Sequence, residues 1–144
     1  MKMADIGHKD VTTREAVVEG KIYLKPSVIL AIKKKQIPKG DVLEAAKLAG
    51  ILATKKTPLL VPLCHPIPIE YVELKFSLSK NHIKVSAMVK GRAKTGVEME
   101  ALTAASIACL TIYDMCKALD KEMIISDIKL IKKTGGKGQD YVRE

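Results

Sequence analysis

The residues able to move protons or hold anions fall into a few groups. Asp114 and Lys117 stand three positions apart, so on a helix a carboxylate and an ammonium lie on one side. Such a pair is either an acid–base couple or a structural ion pair. Cys64 and His65 lie in the stretch TPLLVPLCHPIPI (57–69), where four prolines stiffen the backbone around them. His65 fits three roles: a buried ring bonded to backbone, a metal ligand, or a catalytic or phosphate-binding imidazole. The other histidines are His8 and His82 and no zinc-site spacing occurs, so no metal ligand is assigned. Cys64 shows no sign of activation and reads as a small buried residue. Gly135-Gly136, flanked by Lys133 and Lys137, can wrap backbone N–H groups around a phosphate or be a flexible end, and it lacks the P-loop pattern. Lys39 and Arg14, taken singly, read as solvated charges.

The elements that must position these groups centre on one apolar stretch. It predicts a helix from about Gly96 to Leu119, roughly 36 Å long. Between Ala101 and Tyr113 it carries no charge, which predicts burial on all sides. Glu100, Ile107 and Asp114 share one stripe; Ala101, Ala104, Ala105 and Ala108 gather opposite and admit a close neighbour. The alanine and Cys109/Cys116 faces fit self-association. Upstream, a strand is expected over 16–24, with Arg14 just ahead of it. A helix starts at Pro26 and ends by Gln36. A second is capped by Asp41 with Glu44 three positions on, and ends near Lys55–Lys56. An extended loop covers 57–69. A β-hairpin follows, 71–79 and 83–89 about a turn at 80–82, with Val72, Leu74, Phe76 and Leu78 on its buried face. A last strand spans 123–131. Residues 1–9 read as a mobile N-terminal tail, and 10–144 as one domain. This order predicts an α+β fold, a ferredoxin-like antiparallel sheet with helices packed on one face.

The chain has 144 residues, enough for one core, and 47% are hydrophobic. No apolar run reaches the ~18 residues of a membrane span, and residues 1–10 contain no signal-peptide core. Three cysteines without a Cys-x-x-Cys pattern suggest reduced thiols and a cytoplasmic location. A net charge of +9 favours anionic partners. Aromatics are only 3%, which argues against single-strand nucleic-acid binding by base stacking. A small basic RNA-binding domain is the alternative from another class. It would need aromatics on the exposed sheet face, where the hairpin offers only Tyr71.

Several motifs then occur in a fixed order: Lys39-Gly40-Asp41-Val42, Ala49-Gly50-Ile51, Pro62-Leu63-Cys64-His65-Pro66, KTGVEMEALTAAS (94–106), Tyr113-Asp114-Met115-Cys116-Lys117-Ala118 and Lys133-Thr134-Gly135-Gly136-Lys137. From about Asp10 to Tyr141 the chain closely resembles the molybdenum cofactor biosynthesis protein C family, the cyclic pyranopterin monophosphate synthases. The resemblance implies a lyase that converts 3′,8-cyclo-7,8-dihydroguanosine triphosphate to cyclic pyranopterin monophosphate and pyrophosphate. It implies a ferredoxin-like homohexamer, a trimer of dimers with active sites at the dimer interface. By motif, Asp114, Lys117, Lys39 and His65 would be catalytic, Asp114 and Lys117 as the acid–base pair. Arg14, Cys64, Glu98, Met99, Glu100 and Lys133 would bind substrate. No cofactor is assigned, beyond Mg2+ accompanying the triphosphate. Two positions depart from the pattern. Pro38 precedes Lys39 where relatives often carry histidine, and Gly138-Gln139 replaces Ser-Gly, which leaves Lys137 outside the catalytic set. A non-catalytic scaffold of this family would have lost the polar cluster that this chain keeps.

Overall fold

The computed structural model describes residues 1–144. Strand β1 (Thr12–Tyr23) leads into helices α1 (Pro26–Lys33) and α2 (Val42–Leu60). The hairpin β2 (Ile69–Leu78) and β3 (His82–Ala93) follows, then α3 (Glu98–Cys116), β4 (Ile124–Thr134) and the short β5 (Tyr141–Val142). The strands form one sheet in the order β2-β3-β1-β4-β5, every neighbour antiparallel. The helices cover one face, giving the expected α+β arrangement. Alternation along the strands explains this layering. Ala16, Val18 and Ile22 of β1 and Ile83, Val85, Ala87 and Val89 of β3 are buried beneath α3. Charged residues such as Glu19 and Lys84 pair on the other face.

Three differences from the sequence reading bear on function. First, β1 begins at Thr12, so Arg14 lies within the strand and continues its inward alternation; it is buried, not a solvated charge. Second, α2 runs past Lys56 to Leu60 with Pro58 in its last turn. Proline there forfeits one backbone bond, while Thr57 is fully buried and its Oγ1 donates to Ala53 O at 2.9 Å. Third, β4 extends to Thr134 and brings Lys133 beside Ala16 of β1.

The core helix α3 is also shorter than expected and is not buried all round. Ala101, Ala104, Ala105, Ala108, Cys109, Ile112 and Cys116 face the interior, with Glu100 at the edge of that face and not opposite it. Cys109 and Cys116 therefore pack within the chain and do not offer a surface for self-association; burial pushes both thiols up to about 11. By length and composition alone α3 could cross a membrane, but here its small-residue face lies on the sheet. Gly50 of α2 sits so close to α3 that an added Cβ would lie 3.1 Å from Ala104 O. Small residues on both helices permit that approach. The outer stripe, with Met99, Thr103 and Leu110, stays at least partly open.

Candidate active site

At the C-terminal end of α3 three charged side chains meet. Lys117 Nζ lies 3.0 Å from Asp114 Oδ1, one helical turn away. Lys39 Nζ donates to Asp114 Oδ2 and to the Asp114 backbone oxygen, both at 3.1 Å. Lys39 is delivered by a turn in which Gly40 N–H donates to Ile37 O at 3.0 Å and Gly40 takes φ +123°. Pro38 occupies the second position of that turn, where its fixed φ fits, so the departure there is compatible with Lys39 reaching Asp114. Buried Ile37 anchors one side of the turn, and Asp41, capping α2 through Glu44 N–H at 3.2 Å, the other. Hydrogen bonds from Lys117 and then Lys39 hold the Asp114 carboxyl below the usual carboxylate range. All three side chains are about half exposed. Direct bonding, not burial in an apolar helix, therefore sets this proton affinity.

At the other end of α3 lie two cavities. One, of about 240 Å³, is lined by Cys64, His65, Glu98, Met99, Glu100 and residues of the N-terminal segment. Glu100 is 2% exposed. Burial raises its carboxyl above the ordinary value, and the Glu98 charge adds to the rise. Burial, then the Glu100 charge, raises the Cys64 thiol; a thiol held protonated is a poor nucleophile. His65 is half-buried and makes no hydrogen bond within the chain, so it is not the backbone-satisfied core histidine. No three His, Cys, Asp or Glu side chains gather as a metal site.

The second cavity, of about 360 Å³, has no hydrophobic residue in its wall. Arg14, Lys133, Gly135, Gly136 and Lys137 line it, with His8, Lys9, Asp10 and Thr12; the one carboxylate among them, Asp10, stands 3.7 Å from Lys137 Nζ and makes no ion pair with Arg14. Gly135 and Gly136 have φ of +105° and +81°, and a side chain on Gly136 would collide with the Arg14 guanidinium. The Gly-Gly turn thus closes around that guanidinium. Arg14 is 7% exposed, donates one hydrogen bond, to Ala93 O at 3.2 Å, and enters no ion pair. A buried cation without a counter-charge is costly, and an arriving anion would remove that cost. Between the cavities, Lys133 Nζ stands 3.4 Å from Glu98 Oε1. The pair is close without hydrogen-bond alignment, leaving Glu98 Oε1 buried and unsatisfied, as is Thr12 Oγ1.

The expected site residues thus form two groups. Arg14, Cys64, His65, Glu98, Met99, Glu100 and Lys133 gather at the start of α3; Lys39, Asp114 and Lys117 gather at its end. Sequence reasoning missed His8, Lys9 and Thr12, and left out Lys137, which lines the polar cavity. The RNA-binding alternative loses support. Tyr71 lies under Lys90 at 5.7 Å and its hydroxyl donates to Glu73 at 2.7 Å, so its ring is already engaged.

A family model described as the MoaC family matches residues 3–136. The chain belongs to the MoaC family. The match starts at residue 3, earlier than the motifs around Asp10 suggest, and so includes the segment that lines both cavities. The chain is 53% identical over 143 residues to the cyclic pyranopterin monophosphate synthase of Peptoclostridium acidaminophilum, covering 99% of this chain and 91% of that one. It is 51% identical to the protein of the same name from Heliobacterium modesticaldum, again over 99% and 91%. The protein of that name from Streptomyces griseus subsp. griseus is 46% identical over 99% of this chain and 80% of its own length.

Proposed function

We propose that this protein is a cyclic pyranopterin monophosphate synthase of molybdenum cofactor biosynthesis. It converts 3′,8-cyclo-7,8-dihydroguanosine triphosphate into cyclic pyranopterin monophosphate and pyrophosphate, as a lyase of the phosphorus–oxygen type. The observation that carries the reading is Arg14, a buried guanidinium without a counter-charge in a cavity walled only by non-hydrophobic residues. A triphosphate supplies the missing negative charge. Arg14 and Lys133 bind the phosphates, and preorganised cations there stabilise the charge that develops as pyrophosphate leaves. Cys64, His65, Glu98, Met99 and Glu100 hold the ring system in the neighbouring cavity. Glu100, biased toward its neutral form, is suited to donate a hydrogen bond to a ring atom. Lys39, Asp114 and Lys117 move protons as the purine ring opens and a ribose-derived hydroxyl closes the cyclic phosphate. Mg2+ would enter with the triphosphate.

Glu100 and Asp114 are separated by fourteen residues of one helix, roughly 21 Å. The reading therefore places the two groups of one site on two copies of the chain, within a homohexamer built as a trimer of dimers. Exposed apolar stripes support association. Leu48, Leu52 and Leu59 recur at helical spacing along α2, and Met99 and Leu110 along α3. The three free thiols accord with a cytoplasmic protein. Incubation with the cyclised guanosine triphosphate, followed by mass spectrometry, should yield a pterin and pyrophosphate. No product with or without divalent ions would reject the reading.

A further inference from the structure

Strand β4 does not alternate simply from end to end. Its pairing with β1 shifts register twice, once opposite Gly20 and once between Val17 and Val18. The first shift is filled from the core side. Ile128 packs on the core against Gly20, where an added Cβ would stand 3.0 Å from Ile128 Cγ1. The second leaves Ile131 over, between Leu130, opposite Val18, and Lys132, opposite Val17. A bulge of this kind re-aims the side chains that follow it. Leu130 packs on the core with Val18, so unbroken alternation would turn Lys132 to the helix side and Lys133 to the open face. With Ile131 left over, the sides reverse. Lys133 stands opposite buried Ala16, lines the polar cavity and reaches Glu98 of α3, while Lys132 is exposed.

The second bulge has no core side chain to fill it and is held from the outer edge instead. In a regular strand successive carbonyls point to opposite edges. Here two successive carbonyls go to one residue: Arg143 N–H donates to Ile131 O and Arg143 Nε to Leu130 O, both at 2.7 Å. Strand β5 brings Arg143 there by pairing Val142 with Lys132 and Tyr141 with Lys133. Arg143 enters no ion pair, so the two bonds to β4 are what its position provides. We infer that Arg143 is a positioning residue: it clamps the Ile131 bulge and thereby keeps Lys133, not Lys132, on the substrate side of the sheet. This rests on the function proposed above. Without the side-chain bond the straight strand gains ground. It exchanges the two lysines and moves by one residue the entry to the Gly135-Gly136 turn that closes around Arg14.

The test uses the full-length protein and inorganic triphosphate as the probe, with binding measured by calorimetry. Arg143→Met keeps the stem and removes the donor, and should weaken binding by about fivefold. Arg143→Gln carries an uncharged N–H where Nε stood, and should bind within about twofold of wild type. The two lysines give the decisive reading. With Arg143 present, Lys133→Ala should cost about tenfold and Lys132→Ala less than about twofold. In the Arg143→Met background the cost of Lys133→Ala should fall below about threefold and that of Lys132→Ala should rise to about threefold, since coupled positions do not add. Thermal midpoints should agree across the set. With the cyclised guanosine triphosphate, Arg143→Met should raise KM by about fivefold and leave kcat within about twofold. Lysine costs that Arg143→Met leaves unchanged overturn the inference. So does a loss in Arg143→Gln equal to that in Arg143→Met, a loss that follows a lowered thermal midpoint, or a wild type that does not bind triphosphate. A wild type that binds triphosphate in this Arg143-dependent way but turns over nothing overturns the proposed reaction and leaves the clamp standing.

Discussion

The two ends of α3 solve opposite problems. At its start, charge is buried ahead of any ligand: Arg14 has no carboxylate partner, and Glu100 is buried at the wall of the smaller cavity. Walls and a glycine cradle are in place, and a counter-charge is what is lacking. At its end, Lys39 and Lys117 are bonded to Asp114 in the open, and walls are what is lacking. The first arrangement suits recognition, because an anion that enters relieves an existing penalty. The second suits proton transfer, because two ammonium groups share one carboxylate and their positions are set by short bonds. Each end supplies what the other lacks, and the stiffness of one helix keeps them apart within a chain.

Breaking one end at a time should separate these roles. The largest effect is expected from Lys117→Ala: product formation should fall by about 10³-fold, the range seen for general acid–base groups, while affinity for inorganic triphosphate stays within about threefold. A comparable loss of affinity would dissolve the distinction between the two ends. Arg14→Gln should do the converse, weakening triphosphate binding by about 30-fold through loss of a charged hydrogen-bond donor. Unchanged binding would move the phosphates elsewhere.

Stability gives a smaller but cleaner contrast. Burial raises the Glu100 pKa above its value in the unfolded chain, so the unfolded state ionises first and native stability falls as pH rises past about 4.3. Glu100→Gln should therefore raise Tm at neutral pH, with the difference closing as pH drops below about 4. A Tm lowered at every pH would mean that the carboxylate has a stabilising partner. Asp114 has the opposite sign. Its depressed pKa stabilises the fold above the unfolded value and loses that contribution as pH falls through the folded one. Because the pair is exposed, Asp114→Asn should shift Tm least of all.

The elements that position the site were legible where periodicity was strong. Alternation from Val72 to Leu78 and from Ile83 to Val89 defined the hairpin, and Asp41 with Glu44 marked the start of α2. Strand ends were harder to read. Arg14 interrupts an apolar pattern, so the chain looks as though β1 starts after it; only pairing with β3, where Arg14 stands opposite Gly91, shows the alternation continuing through it. The spacing of Asp114 and Lys117 announced their ion pair, but nothing local announced Lys39, which arrives from 75 positions away. Lys9 and Thr12 were invisible for a similar reason. A polar segment without periodicity reads as a tail, and its contact with the start of α3 exists only in three dimensions. The outer stripe of α3 misled in the other direction, since apolar residues there imply a covering surface without saying whether it comes from the same chain.

The claim that one site draws its two halves from two copies can be tested by complementation. Arg14→Ala impairs the recognition end and Lys117→Ala the proton-transfer end, and at substrate well below KM each variant alone should retain only a few per cent of wild-type activity or less. Unfolded together in equal amounts and refolded, they should assemble mixed dimers in which one of the two sites has both halves intact. Activity should then return to about one quarter of wild type, since half of the dimers are mixed and half of their sites are whole. A mixture no more active than its parents would show that each site belongs to a single chain, and would contradict the account.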